Sequence, residues 1–247
     1  METTGLLFVL GLALLPSLGN LLGIALAEWR QPPDWLVGGA LHAAAGIATA
    51  VAAIELVPRA DERVAVWVLA IALVVGAVCS AGIAKATRRL RAKLGEDAGR
   101  ATTWGAYAAV GVDLFTDGLM TGGGGAVAQE LGILLAVSQV VGNLPGGFAI
   151  AADFRSTSIP RKSRWRALAV YPFLPVAGAL IGFVVLSGAS ALITGFVLAL
   201  FAGLLLTATI EDIIPEADQP QARRRVSSPA FALGFGALLL TSAYLGG

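Results

Sequence analysis

Eight apolar runs, each about as long as a helix that crosses a bilayer, divide this 247-residue chain, and its seventeen Lys and Arg gather between those runs or at their margins. A soluble domain of this size has no interior large enough for a composition that is 57% hydrophobic and only 13% charged. The runs are continuous rather than alternating, which predicts helices and not strands. The expected fold is all-α: a polytopic membrane protein forming one transmembrane domain over 1–247. Its helices are expected at 5–27, 36–57, 64–83, 102–127, 131–153, 165–187, 190–214 and 229–246. The first run ends in Ala25-Leu26-Ala27, which resembles a signal-peptide cleavage site. It begins from an acidic end at Glu2 and is too long for a signal-peptide core, so it is expected to be retained.

With eight spans, alternate loops lie on opposite sides. One side holds Arg30; then Lys85, Arg88, Arg89, Arg91, Lys93 and Arg100; then Arg155, Arg161, Lys162, Arg164 and Arg166; then Arg223, Arg224 and Arg225. That is fifteen basic residues against two, Arg59 and Arg63, on the other side. The positive-inside rule makes the richer side cytoplasmic. Both termini then lie outside a cell (plasma or inner) membrane, and the segment at about 84–101 is a basic cytoplasmic loop. Orientation accounts for these charges, so they require no nucleic acid. The single cysteine, Cys79, excludes an internal disulfide and reads as packing.

Part of the chain repeats. Ala45-Gly46 is followed by Glu55-Leu56-Val57-Pro58-Arg59-Ala60-Asp61, and Ala202-Gly203 by Asp212-Ile213-Ile214-Pro215-Glu216-Ala217-Asp218, at a constant offset of 157. A weaker match at offset 29 relates Val112 to Gly118 with Val141 to Gly147. Both matches fall on spans of opposite direction, so the repeat is inverted. Inverted repeats are an architecture of secondary transporters, with substrate near the midplane at the repeat interface.

Asp113 and Asp117 lie in the middle of the fourth run, one helical turn apart on one face. Each carboxylate at bilayer depth costs about 2.5–3.5 kcal/mol. Relief comes from a proton, a wet crevice or a bound cation, and a divalent cation would also quench their mutual repulsion. In the fifth run Pro145 frees a backbone carbonyl one turn back, and Asn143 and Gln139 offer side-chain oxygens. A kinked packing helix explains that segment equally well. Glu55, Glu211 and Asp212 precede Pro58 and Pro215 at expected helix ends, either as interfacial acids or as an outer mouth (Glu55) and an inner mouth (Glu211, Asp212) of a pathway. His42, near the start of the second run, is either a pathway ligand or a satisfied polar residue. Gly122 to Gly125 lack the Lys and Ser/Thr of a phosphate loop and read as close packing. With His42 the single histidine, hydrolytic chemistry has little to build on, and no enzyme is expected.

Taken together, these segments resemble the Zrt/Irt-like (ZIP) family of divalent metal transporters over nearly the whole chain. The family's span-four motif, His-Asn-x-Pro-Glu-Gly, is similar to Asp113-Leu114-Phe115-Thr116-Asp117-Gly118. Its second motif is similar to Gly142-Asn143-Leu144-Pro145-Gly146-Gly147, and its Glu-Pro in span six to Leu174-Pro175. The resemblance implies metal ligands at Asp113, Asp117 and Asn143. Leu114, Gly142, Gly146 and Leu174 stand where further ligands are expected, so one cation is implied in place of the family's two. It also implies that spans one, four, five and six slide as a bundle against the rest.

The leading expectation is therefore a transmembrane transporter of divalent metal cations, zinc or another transition metal, with a reduced, mononuclear site. Two alternatives stay open: a protein of this fold that has lost transport and serves in binding or regulation, and a proton-linked transporter of another substrate. No cofactor is required. The expected partners are the lipid bilayer and the cation, and a homodimer is an open assembly.

Overall fold

The computed structural model describes residues 3–29, 33–94, 100–156, 159–218 and 224–245, and among them no strand occurs. Arg30, Arg223 and positions 95–99 of the basic segment lie outside the described residues. Seven helical segments among the described residues are long and apolar enough to cross a membrane: Gly5–Trp29, Trp35–Asp61, Val66–Arg89, Gln129–Phe148, Lys162–Leu186, Ala191–Ala217 and Arg225–Tyr244. They follow seven of the eight expected runs. The remaining run is α6 (Arg100–Val127), whose 28 residues are enough to cross. Its two aspartates, its threonines and its glycines hold it below the apolarity of the others.

The elements in chain order begin with α1 (Thr3–Leu12), α2 (Leu14–Trp29) and α3 (Asp34–Ala50). A π-helical turn, Val51–Leu56, leads into α4 (Val57–Asp61), followed by α5 (Val66–Leu94) and α6. Then come α7 (Gln129–Ser156), α8 (Arg161–Leu168), α9 (Phe173–Leu186) and α10 (Ala191–Ala208). A second π-helical turn, Thr209–Ile213, leads into α11 (Ile214–Ala217), and α12 (Arg224–Leu245) closes the chain.

Proline shapes these helices differently from the sequence-based expectation in two places. Spans two and seven were expected to end just before Pro58 and Pro215. Instead the helix continues through each proline, because the preceding turn widens. The Val57 N–H reaches the Ala52 carbonyl and the Ile214 N–H reaches the Thr209 carbonyl, each five residues back. Glu55, Glu211 and Asp212 therefore sit inside π-turns and not at helix ends. Span six was expected to be continuous over 165–187. It is broken between α8 and α9 at 169–172. Pro172 and Pro175 cannot donate to the carbonyls four residues before them. One of those, the Tyr171 carbonyl, accepts instead from Ser17 Oγ at 3.1 Å and from the Leu174 N–H at 3.2 Å. The basic segment is also more regular than expected, since α5 stays helical to Leu94.

The helices form two groups. In one, α6 lies along α9 and α7, and α2 lies along α7; in the other, α3 pairs with α12 and α5 with α10. The first group comprises the expected spans one, four, five and six. Its pairings are backbone to backbone: a Cβ on Gly23 of α2 would overlap the Leu144 carbonyl of α7, and a Cβ on Gly178 of α9 would overlap the Phe115 carbonyl of α6. Leu144 and Phe115 are related by the offset of 29 already seen in the sequence. Likewise Gly46 packs on α12 at Phe231, and Gly203, 157 residues later, packs on α5 at Leu73. The two π-turns also coincide at that offset. Exchanging span one with six, two with seven, three with eight and four with five maps each of these pairings onto another, and the pairing of α6 with α7 onto itself. The repeat is thus a property of the packing and not only of the letters.

If close backbone approach holds the bundle, Gly178→Ala should lower the melting temperature of the detergent-solubilised protein by an amount equivalent to about 1–3 kcal/mol, the usual cost of overpacking. Gly142→Ala, whose Cβ would meet nothing within 4 Å, should be neutral or stabilising. Equal melting temperatures for the two variants would contradict this basis for the architecture.

Candidate functional site

Two of the expected ligands, Asp117 and Asn143, meet where α6 and α7 pack together. The Asp117 side chain is buried, at 8% exposure, and its Oδ2 accepts from Asn143 Nδ2 at 2.6 Å. The same Nδ2 also donates to the Gln139 carbonyl at 2.9 Å, one turn back on α7. Gln139 Nε2 donates to the Asp117 carbonyl at 3.1 Å, and its Oε1 accepts from Thr121 Oγ1 at 2.7 Å. Asp117 with Asn143 and Thr121 with Gln139 fix an antiparallel register. Four polar side chains spaced at i, i+4 on each helix thus complete one another inside an apolar bundle, as buried polar groups must.

Asn143 turns its amide nitrogen, not its oxygen, towards Asp117. A rotation of the amide would exchange the two, so its ligand role requires a side-chain flip. Asp113, one turn from Asp117, is exposed. Asp212 and Glu216 lie close enough to repel it electrostatically, and Asp113 in turn repels Asp117. The chain carries no Lys or Arg from 101 to 154. Asp113 therefore looks out along an acidic path towards the second π-turn, where Glu211, Asp212 and Glu216 are exposed. Among the described residues no three His, Cys, Asp or Glu side chains form a ready-made metal cage. Near Asp117 lie a second carboxylate one turn away, the Asn143 amide and the Gln139 carbonyl.

The other expected pathway residues stand apart from this centre. His42 Nε2 lies 3.3 Å from Asp218 Oδ1, and its Nδ1 lies 2.8 Å from the Gly38 carbonyl. It thus ties the middle of α3 to the end of α11. Glu55, the repeat partner of Asp212, is buried at 4% exposure. It pairs with Arg59 at 3.1 Å and accepts from Ser242 Oγ, clamping the first π-turn to α12. The residues that occupy expected ligand positions are inert. Leu114 is fully buried among apolar neighbours, and Leu174 packs towards Gly111.

Sequence reasoning missed Asn20. It is fully buried on α2, beside Gly146 of α7. Among the described residues neither its Oδ1 nor its Nδ2 has a hydrogen-bond partner. A lone asparagine in an apolar run is a signal of the same kind as Asp113, but a search for ionisable groups passes over it. The aromatic bracket at this end of the bundle was also unforeseen. Tyr107 and Tyr171 stack at 4.7 Å, and Tyr107 Oη donates to the Ala167 carbonyl at 2.6 Å, which holds the break in span six against α6.

The family described as ZIP Zinc transporter matches residues 85–242, well over half of the chain. No curated protein gives a significant match. The matched stretch runs from the end of α5 nearly to the end of α12, so it contains α6, α7, the broken span six and the second π-turn. A multi-pass membrane protein with paired carboxylates facing an acidic path suits metal transport, and the chain belongs to the ZIP zinc transporter family.

Proposed function

We propose that the chain moves a divalent transition-metal cation, zinc or a close neighbour, across a cell membrane through one oxygen-rich site centred on Asp117. The observation that carries this reading is a buried carboxylate, one turn from a second carboxylate, in a stretch without Lys or Arg. A divalent cation cancels both charges at once. Asp113, Asp117 and a rotated Asn143 would supply ligands. The Val141 carbonyl, which Pro145 cannot engage, would add a backbone oxygen. Such a set is harder than the histidine and thiolate sites that hold zinc most tightly. Weak binding favours release of a cargo. Leu114, Gly142, Gly146 and Leu174 contribute no ligand side chains, which supports one ion and not two.

The unequal surroundings of the repeat partners support alternating access. Asp212 is exposed and Glu55 is sealed by Arg59 and Ser242. On the expected orientation, with both termini outside, this is a state open to the cytoplasm and closed outside. Breaking the Glu55 clamp would open the other face, while Asp212 and its neighbours would become buried.

Three outcomes test this reading. Asp117→Asn keeps size and hydrogen bonding and removes an intramembrane charge, so it should fold at least as well. It should bind Zn²⁺ more than roughly 10-fold more weakly, the lower end of the loss seen even for outer-shell changes, and it should abolish uptake into proteoliposomes. Wild-type uptake by a folded Asp117→Asn would contradict the proposal. Uptake that persists without any metal binding would favour a proton-linked substrate instead.

Wild-type Zn²⁺ affinity should also fall as pH drops, because protons compete with metal for the carboxylates. The sign is fixed: an affinity that rises on acidification, measured by titration calorimetry, would exclude Asp113 and Asp117 as ligands. Finally, Ala92→Cys in a Cys79→Ala background should be protected from an impermeant maleimide in intact cells, and a cysteine appended after Gly247 should react. The reverse pattern would overturn the orientation.

A further inference from the structure

We infer that Asn20 is a further ligand of the transported cation, its amide oxygen reaching the site from α2 in place of the carboxylate that position 146 lacks. The inference rests on the proposed cation site at Asp117 and adds a residue outside the segment that the family matches.

Asn20 has little freedom to escape its surroundings. Its backbone carbonyl lies directly against Gly147, where a Cβ would overlap it. Its side chain is fully buried, with both polar atoms unpartnered among the described residues. Buried amides are normally satisfied, and one that is not points to a role beyond packing. The direction of the amide is defined as well. A Cβ on Gly146 would lie 3.3 Å from Asn20 Nδ2 and 3.8 Å from Val110 Cγ2. The amide therefore looks into the space between α2, α6 and α7 that a side chain at position 146 would fill.

That space adjoins the Asp117 site. The register set by Asp117 with Asn143 and Thr121 with Gln139 continues to bring Gly146 level with Leu114 and Asp113. Gly146 follows Asn143 by three residues and Val110 precedes Asp113 by three, so each is about 4.5 Å away along its own helix and on the same face. Oxygens bind divalent cations at about 2.0–2.6 Å, so two oxygens that share an ion lie up to about 5 Å apart, the scale of one such step. The chemistry also fits. Asp113 and Asp117 already neutralise a divalent charge. A carboxylate at position 146 would leave the loaded site negative inside the membrane, whereas a neutral amide adds an oxygen and no charge.

The experiment uses the full chain in detergent, with Zn²⁺ as probe, read by titration calorimetry and by thermal melts with and without metal. Asn20→Leu should melt at or above wild type without metal, since it removes an unsatisfied buried amide. It should bind Zn²⁺ at least 10-fold more weakly and lose most of the metal-induced rise in melting temperature. Asn20→Asp should bind more tightly, and its affinity should fall more steeply on acidification, because one more proton competes. A folded Asn20→Leu with wild-type affinity overturns the inference. If Asn20→Leu does not fold, Asn20→Asp with wild-type affinity and wild-type pH dependence overturns it alone. Asp117→Asn, run in parallel, separates the two levels. Loss in Asp117→Asn with no change in the Asn20 variants defeats the role of Asn20 only; no change in any of the three defeats the cation site itself.

Discussion

Direct contact between helix backbones at glycine is the constraint on which the remaining features of this protein depend. Lipid provides no hydrophobic drive between helices, so association rests on close packing and on polar contacts made across the seam. Gly178 against the Phe115 carbonyl and Gly23 against the Leu144 carbonyl draw α9 onto α6 and α2 onto α7. Gly132 of α7 sits against the Gly125 backbone of α6, and on that seam short polar side chains reach one another. The Thr121, Gln139, Asp117 and Asn143 ladder needs no long side chain to cross between helices. It leaves Asp117 buried and hydrogen-bonded.

The repeat supplies symmetric rods but not symmetric chemistry. The packing that sets Gly147 against the Asn20 carbonyl sets Gly118 against the Pro175 carbonyl at the related place. One seam thus carries a broken helix and the aspartates, and the other carries an amide and a glycine. The π-turns show the same division. Both widen by one residue to pass a proline, yet one holds Glu55 in a sealed ion pair and the other exposes Asp212. An inverted pair in unequal surroundings is what a molecule with two alternate states requires, since exchanging the surroundings converts one state into the other.

Much of this was legible in the sequence, for reasons that are physical. Uninterrupted apolar runs with flanking charges leave few options for a chain in a bilayer, so seven spans and the course of α6 followed from them. Asp117, Asn143 and Gln139 were found together because i, i+4 spacing on two helices with matched motifs brings them to one seam. Other features were not legible. A proline is compatible with a helix end, a break or a π-turn, and the choice is made by tertiary partners. Ser17 capturing the Tyr171 carbonyl settles the break in span six. His42 pairs with Asp218 across 176 positions, which no local pattern announces. Asn20 escaped because its significance lies in having no partner, a property of its surroundings and not of its neighbours in sequence.

The central claim is that one cation binds between α6 and α7. Locating Zn²⁺ by anomalous scattering in crystals of the loaded protein tests it most directly. The account predicts one peak, within coordination distance of Asp117, with oxygens of Asp113 and α7 around it. Two peaks bridged at that seam, or a peak confined to Glu211, Asp212 and Glu216 with none at Asp117, would contradict it.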